Sequence, residues 1–493
     1  MKGHIRTSTA VLSIVIAMLV GALIVTVTSS RHVPVFVDTA HAASVDQGPL
    51  TSFAPVVKRA MPAVVNISSS KVVRQQQIPR GMLDDPFFRQ FFGGRVPQQQ
   101  QPRSQRETSL GSGVVVSADG YILTNNHVVD GATDIKVAFF DKVEYPAKIV
   151  GSDKYGDIAV LKIEKTGLTP LAFANSAHTQ VGDIVLAIGN PFGLRQTVTM
   201  GIVSAMGRAG LGIERFEDFI QTDAPINRGN SGGALIDTRG DLVGINTAIL
   251  SGETGGNEGI GFAIPANLAR NIMDQILKKG KVSRGFIGIL PQELTPDMAK
   301  AFGIPNAKGV AIASVEPDTP ALRAGLKVGD VITAINGNPV DDVNAFRLQI
   351  AGFEPGTTVH LKIARGGQNL DVPVKLAEFN EKAEITGGRG DIPGTGEKGA
   401  LNGVSVEALN ANIREQLQLP EGTSGVIITD IDEDSAASAA GLHSGDVIVQ
   451  VNHKDVKTVA DFNAAVKAGA SRESTLLLVN RGGGKQFVVV PNK

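Results

Sequence analysis

The chain has 493 residues, 42 % of them apolar, with 47 basic residues set against 48 acidic ones and no cysteine. That length asks for about three domains, and the even charge balance lacks the clustered basic excess of a nucleic-acid binder. The missing cysteines exclude thiol nucleophiles, zinc–thiolate sites, iron–sulfur clusters and disulfides, while 57 glycines and 5 % aromatics point to tight turns and short strands.

At the N-terminus Lys2 and Arg6 precede an apolar stretch from Ala10 to about Thr28, and Ala40-His41-Ala42 follows with small residues at −3 and −1. This is the layout of an export signal over residues 1–42, cleaved after Ala42. The stretch is also long enough to span a bilayer, so an uncleaved inner-membrane anchor stays open as the alternative, and as the chain's sole membrane contact. Either way the rest of the chain is expected outside the cytoplasm, in a space without ATP.

Residues 50–280 read as one β-rich domain. Runs at Gly113–Val116, Ile135–Phe139, Ile158–Ile163, Ile184–Ile188 and Leu242–Ile245 alternate with turn signals, a spacing that predicts an all-β barrel or sandwich. Asn267–Lys279 is expected to close the domain as a helix running into Gly280. One insertion, residues 74–106, is rich in Gln, Arg and Pro and is expected to be a mobile loop. It carries Phe87, Phe88, Phe91 and Phe92; these either tuck against their own domain or dock on another subunit or in the substrate cleft.

An internal repeat follows. Gly309-Val310-Ala311-Ile312 recurs as Gly425-Val426-Ile427-Ile428, Ala324-Gly325-Leu326 as Ala440-Gly441-Leu442, and Gly329-Asp330-Val331-Ile332 as Gly445-Asp446-Val447-Ile448. Asn336 and Phe346 match Asn452 and Phe462 at the same offset. Two copies of one module are predicted, 281–379 and 401–493, each with a short alanine-rich helix ending at Gly325 or Gly441 and a second helix near Val343–Ala351 or Val459–Ala468. Residues 380–400, rich in glycine, read as a flexible linker. Its Arg389-Gly390-Asp391 tripeptide is read as a coincidence of composition.

Three short motifs carry chemistry. Ser231 sits in Asn227-Arg228-Gly229-Asn230-Ser231-Gly232-Gly233. A serine hydroxyl needs a base to take its proton, and glycines on both sides let backbone N–H groups converge on a developing oxyanion. By itself the motif is also a glycine-rich turn. His127, in Leu123-Thr124-Asn125-Asn126-His127-Val128-Val129, is placed at the end of a strand reaching from Val114, a rigid site for a base. Asp157, in Tyr155-Gly156-Asp157-Ile158, precedes an apolar strand at the core's edge, where a carboxylate can orient an imidazole. As a bare acid it would be a turn residue. The order His, Asp, Ser on a β-rich domain is that of chymotrypsin.

With Thr124–Val129, Gly156–Leu161, Asn227–Leu235 and two PDZ-like modules together, the chain resembles the HtrA family, in its Do-like, DegP/DegQ-type branch. The resemblance covers nearly everything after residue 50. It implies a mainly β fold: a trypsin-like double β-barrel followed by two PDZ-like α+β modules. It also implies homo-trimers or larger assemblies of trimers, degradation of unfolded envelope proteins without ATP, and chaperone activity. By residue it implies an oxyanion turn at Gly229, Asn230 and Ser231. It further implies a substrate-pairing strand at Thr247, Ala248 and Ile249, a specificity pocket at Ile226 and a sensor loop at Arg208. Pro225, Ile226 and Ile249 offer no acid to receive Lys or Arg, and Asp223 reads as structural, so small aliphatic residues are the expected preference. The Phe-bearing insertion matches a loop that reaches a neighbouring subunit, without the cysteine pair of several relatives. In the first module Arg284-Gly285-Phe286-Ile287-Gly288-Ile289 matches the turn that cradles substrate C-termini on backbone N–H groups. The second offers Leu401-Asn402-Gly403-Val404, where Asn402 replaces an apolar residue and argues for weak binding or a role in assembly. No cofactor, nucleic acid or metal is expected, for no ligand spacing such as His-Glu-x-x-His occurs. A holdase or PDZ scaffold with an incidental protease domain is the alternative.

Overall fold

The structure, a computed structural model, describes residues 52–73, 105–190, 196–227, 229–251, 257–304, 308–380, 397–417, 419 and 422–492. The export segment, the four phenylalanines of the insertion and the Arg-Gly-Asp tripeptide lie outside the described residues. The chain divides into two compact units, Met1–Lys281 and Val282–Lys493.

The first unit opens with a short helix, α1 (Ala54–Ala60), and then builds two closed six-stranded barrels. The first barrel comprises β1 (Val64–Val73), β2 (Gln105–Val115), β3 (Tyr121–Thr124), a one-turn helix α2 (Asn126–Val129), β4 (Asp134–Ala138), β5 (Glu144–Asp153) and β6 (Ile158–Ile163), closed in the order β1-β2-β3-β6-β5-β4. Alternation does the work in β4, where Ile135 and Val137 are buried and Lys136 faces out. The apolar run of β6 is buried almost throughout. Because β1 and β2 pair out to Val73 opposite Gln105, Gln105 and Arg106 are ladder residues and not part of the expected loop.

The second barrel comprises β7 (Ile184–Gly189), β8 (Thr197–Arg208), β9 (Phe219–Thr222), β10 (Ala234–Ile236), β11 (Leu242–Ser251) and β12 (Asn257–Pro265), closed in the order β10-β11-β12-β9-β8-β7. Val185, Ala187, Val203, Ile220, Leu235 and Ala263 fill it. Closure removes the free edges that an open sheet would expose. Helix α3 (Ala266–Lys279) then stops at Gly280, which takes the left-handed conformation at φ 75° that favours glycine. Ile276 of α3 is buried against Gly151 of β5, where any Cβ would stand 2.6 Å from its Cγ2. The helix following the second barrel is thereby pinned to the first. Burial of a side chain such as Ile276 contributes about 1.5–3 kcal/mol.

The second unit holds the two repeated modules. The first contains β13 (Gly285–Phe286), β14 (Ile289–Glu293), α4 (Pro296–Phe302), β15 (Val310–Val315), α5 (Pro320–Arg323), β16 (Val331–Ile335), β17 (Asn338–Pro339), α6 (Val343–Gly352), β18 (Thr358–Arg365), β19 (Gln368–Lys375) and β20 (Ala377–Glu378). The second contains β21 (Glu397–Lys398), β22 (Val404–Ala408), α7 (Ala411–Gln416), β23 (Val426–Ile431), α8 (Ala436–Ala439), β24 (Val447–Val451), β25 (Lys454–Asp455), α9 (Val459–Ala468), β26 (Ser474–Arg481) and β27 (Gly484–Pro491). The recurring residues have physical causes. Asp330 is 1 % exposed and accepts both nitrogens of Arg365, at 2.6 and 2.7 Å; Asp446 and Arg481 repeat the pair. A buried carboxylate is tolerated when paired in this way. Asn336 and Asn452 both sit at φ 50°, a region asparagine enters more readily than most residues, and each side chain accepts a backbone N–H across the sheet.

The repeat alone did not reveal how the two modules pack. Leu290, Met298, Leu478 and Phe487 belong to one shared apolar cluster. The Gln292 side chain closes it, donating to Phe487 O at 2.8 Å and accepting Phe487 N–H at 2.6 Å. The expected linker also differs at its end: residues 397 and 398 form a strand.

Candidate active site

The site lies where the two barrels of the first unit meet. β3 ends at Thr124, and His127 rides on the helical turn α2, not on a strand end as the sequence reading has it. Asp157 stands just ahead of β6. Its side chain is 2 % exposed and takes three donors: His127 N–H at 2.9 Å, His127 Nδ1 at 2.8 Å and Thr247 Oγ1 at 2.7 Å. Its carbonyl accepts Asn126 N–H at 3.2 Å and Asn125 Nδ2 at 3.0 Å. The residue itself is held at φ 49°, a left-handed conformation that costs a non-glycine residue roughly 1–3 kcal/mol. With Nδ1 committed to the carboxylate, the imidazole keeps Nε2 as its basic nitrogen.

Ser231, 5 % exposed, arrives from the turn before β10. Gly232 presses this turn onto the histidine segment. At φ 82°, it leaves so little room that a Cβ would collide with Thr124 Oγ1 and lie 3.2 Å from Asn125 N. The turn is held by Asn230 N–H to Asn227 O and Gly233 N–H to Asn230 O, each at 2.9 Å, and by Gly232 N–H to Asn246 O at 2.8 Å. Asn230 thus spends its N–H on the turn. Among the described residues no acceptor takes the N–H of Gly229 or Ser231.

Two side chains hold this arrangement that sequence reasoning missed. Ser112, fully buried on β2, donates its N–H to Ser231 O at 2.8 Å and its hydroxyl to Gly229 O at 2.6 Å, and it accepts Asn190 N–H at 2.8 Å. The flanking Gly111 and Gly113 were the available signal, since glycine within a strand marks close backbone approach. Thr247, expected to pair its backbone with substrate, also donates its hydroxyl to Asp157, from a β-bulge between Asn246 and Ala248. Beyond Asn246 the edge of β11 away from β12 is open among the described residues, because β10 covers only Leu242–Ile245.

Ile226 is 1 % exposed within the second barrel's core, against Gly261, where a Cβ would lie 2.9 Å from Ile226 Cδ1. Asp223 accepts Ile202 N–H at 2.7 Å. Arg208 ends β8 and donates from Nε to Gln221 Oε1 at 2.8 Å. The segment that follows turns back toward Tyr155, two residues before Asp157. Buried Glu217 takes the N–H groups of Leu211, Ile213 and Glu214, Phe216 N–H reaches Tyr155 O at 3.3 Å, and the Phe216 ring meets Tyr155 edge-on. Burial pushes the Glu214 carboxyl up to about 9, with further contributions from the negative charges of Asp157, Asp153 and Glu217. In the first module Ile287, Gly288 and Ile289 are buried, Phe286 is half-buried, and Gly288 takes φ 83° with Thr319 packed where its Cβ would be.

A trypsin-like peptidase domain matches residues 111–245, and a PDZ domain matches 285–376 and again 402–490. The chain is 42 % identical over 426 residues to the periplasmic pH-dependent serine endoprotease DegQ of Escherichia coli K12, covering 86 % of this chain and 88 % of that one. This chain belongs to the HtrA family. The same relation holds to the E. coli K12 periplasmic serine endoprotease DegP, at 38 % identity over 90 % of this chain and 92 % of DegP. Among solved structures, the HtrA-type protease AlgW with a decapeptide is 45 % identical with a TM-score of 0.55, over 67 % of this chain and 99 % of AlgW. As an HtrA-family member, the chain is a serine endoprotease with a trypsin-like domain of two six-stranded barrels and two PDZ domains, and its named relatives are periplasmic. Among the described residues no helix is long and apolar enough to cross a membrane.

Proposed function

We propose that His127, Asp157 and Ser231 form the catalytic triad of this endoprotease. The three-donor clasp on Asp157 is the observation that carries the reading. A buried carboxylate fixed against Nδ1 sets the tautomer in which Nε2 takes a proton, and it stabilises the imidazolium that results. Ser231 Oγ attacks the scissile carbonyl while Nε2 takes its proton; His127 then returns that proton to the departing amine. Water attacks the acyl-enzyme by the same relay in reverse, releasing the new carboxylate and restoring Ser231. The N–H groups of Gly229 and Ser231 receive the oxyanion, a contribution of about 10²–10³ in rate for one donor. Substrate backbone pairs along the open edge of β11 at Thr247, Ala248 and Ile249. Ile226 and the absence of a neighbouring acid favour small aliphatic side chains, valine and alanine above all, at the cleaved position.

The substrates on this reading are unfolded envelope proteins, held by their C-termini at Phe286, Ile287, Gly288 and Ile289. Cleavage and holding occur in the periplasm without nucleotide, by trimers or assemblies of trimers, with chaperone activity beside proteolysis. Arg208 and the segment behind it, which touches Tyr155 two residues before Asp157, relay PDZ occupancy to the triad. A fluorophosphonate probe tests the core of the proposal. Stoichiometric labelling of Ser231, lost in His127→Ala, is expected; labelling at another residue, or undiminished labelling without His127, would overturn it.

A further inference from the structure

The two PDZ domains differ at the strand where a peptide would add. In the first, β14 has β15 as its one ladder partner among the described residues, so its outer edge is open. In the second, β22 is paired on both sides: β23 lies on one, and on the other β21 brings Glu397 opposite Val406 and Lys398 opposite Ser405. The pairing continues into the loop, where Gly399 N–H reaches Val404 O at 2.8 Å. Ala400 N–H then donates to Asn463 Oδ1 on α9 at 2.7 Å. Gly399 fits tightly against that helix, for a Cβ there would stand 2.9 Å from Phe462 Cε1 and 3.0 Å from Val404 O. The segment therefore threads between β22 and α9, antiparallel to the strand, in the place an added peptide strand takes between a sheet edge and a helix.

The loop that follows is closed on itself as well. Val404 N–H turns back to Leu401 O at 3.2 Å, while the N–H groups of Asn402 and Gly403, like those of Ile287 and Gly288 in the first module, have no acceptor among the described residues. Gly403, at φ 76° and backed by Ser435, otherwise repeats Gly288, at φ 83° and backed by Thr319. The two loops share a scaffold; what differs is the strand beside it. The first match to a PDZ domain begins at 285, with its short strand β13 paired to β20, whereas the second begins at 402, beyond β21.

We propose that the second PDZ domain carries a peptide groove occupied in cis by the chain's own Glu397–Ala400, and that an extended peptide with an apolar C-terminus enters it only by displacing this segment. The first domain then captures C-termini directly, and the second engages one only after its own strand has been pulled away. The inference rests on the reading of these domains as peptide-adding modules.

The test uses the full chain with Ser231→Ala, which prevents digestion, and a decapeptide ending in Leu-Val with a free carboxylate and a photoreactive group. Cross-links are expected on Ile289–Glu293, with at least ten-fold fewer on Val404–Ala408. Gly399→Val, which drives a side chain into Phe462 and Val404 O, is expected to raise labelling of Val404–Ala408 ten-fold or more. Equal labelling there in both proteins would overturn the proposal. The double variant Glu397→Pro, Lys398→Pro removes the Glu397 N–H that pairs with Val406 and breaks β21 without bulk against Phe462, and hydrogen exchange at Val406, whose N–H faces β21, reads whether the β22 edge is freed. Unchanged exchange at Val406, or faster exchange there without a gain in labelling, would each contradict the proposal. Failure of the peptide to label Ile289–Glu293 would instead tell against C-terminal capture by the first domain and leave the comparison at β22 to decide this one.

Discussion

Replacing Thr247 by valine removes one hydroxyl from beneath the triad and leaves the volume nearly unchanged. In the native chain that hydroxyl donates to Asp157 Oδ2 at 2.7 Å, beside the 2.8 Å contact from His127 Nδ1 to the same oxygen. Thr247 is 1 % exposed and Asp157 2 %, so no water stands ready to replace the bond. A hydrogen bond to a charged group contributes about 1.5–3 kcal/mol. If the carboxylate needs the bond most when the imidazole is charged, the loss falls on the transition state. At about 1.4 kcal/mol per factor of ten, kcat/KM then drops roughly ten- to hundred-fold. The assay is hydrolysis of a fluorogenic peptide with valine at the cleaved position, with KM and kcat resolved and folding checked by thermal melting. The expected result is a fall in kcat, KM within two-fold, and recovery in Thr247→Ser, which keeps the donor. A folded Thr247→Val with kcat within two-fold of the parent would refute the reasoning, because the third donor would then do nothing for the carboxylate.

Other predictions follow from the same geometry. Ser112→Ala removes the hydroxyl bond to Gly229 O and the acceptor for Asn190 N–H; it is expected to lower kcat by about ten-fold or more with KM little changed, short of the roughly 10²–10³ lost when an oxyanion donor is removed outright. A variant with altered KM and unchanged kcat would tell against that role. Glu214 keeps its proton in the folded chain up to about pH 9, where an unfolded carboxyl loses it near 4.5. Its contribution to stability is therefore complete below about 4.5 and is lost as pH rises through about 9. Thermal midpoints measured from pH 5 to 9.5 should fall more steeply for the native chain than for Glu214→Gln, and parallel curves would show that burial does not hold the proton there. Turnover of valine-containing peptides should exceed that of arginine-containing ones, since Asp223 is engaged with Ile202 N–H and the sequence from Thr222 to Ser231 carries no other acid; the reverse ranking defeats the pocket reading.

The parts of this molecule legible in sequence are those fixed by local rules. Alternation in Ile135–Val137, the capped end of α3 at Gly280 and the 116-residue repeat each follow from neighbours along the chain. The candidate triad could be proposed from sequence because serine, histidine and aspartate each sat in a short motif in a telling order. What stayed hidden was pairing between distant segments. Ser112 and Thr247 are a serine and a threonine among many, and their roles arise only when the barrels meet and bring β2 against the Ser231 turn and β11 against Asp157. The position of His127 shows the same limit at short range, for a one-turn helix leaves too little periodicity to be told from a strand end. The end of the expected linker differs for a related reason. Glycine-rich composition predicts a chain with no structure of its own, yet Gly399 is there because nothing larger passes Phe462, and a partner strand supplies the order that Glu397 and Lys398 lack alone.

The account stands most directly on Ser231 as the nucleophile. Digestion of a permanently unfolded protein by the native chain and by Ser231→Ala, followed together with aggregation of the same substrate, tests it in one experiment. The account predicts fragmentation by the native chain alone, with cleavage by the variant reduced at least a thousand-fold. Equal fragmentation by the two would contradict it. So would an absence of cleavage in both with aggregation still suppressed, which is the behaviour of a holdase.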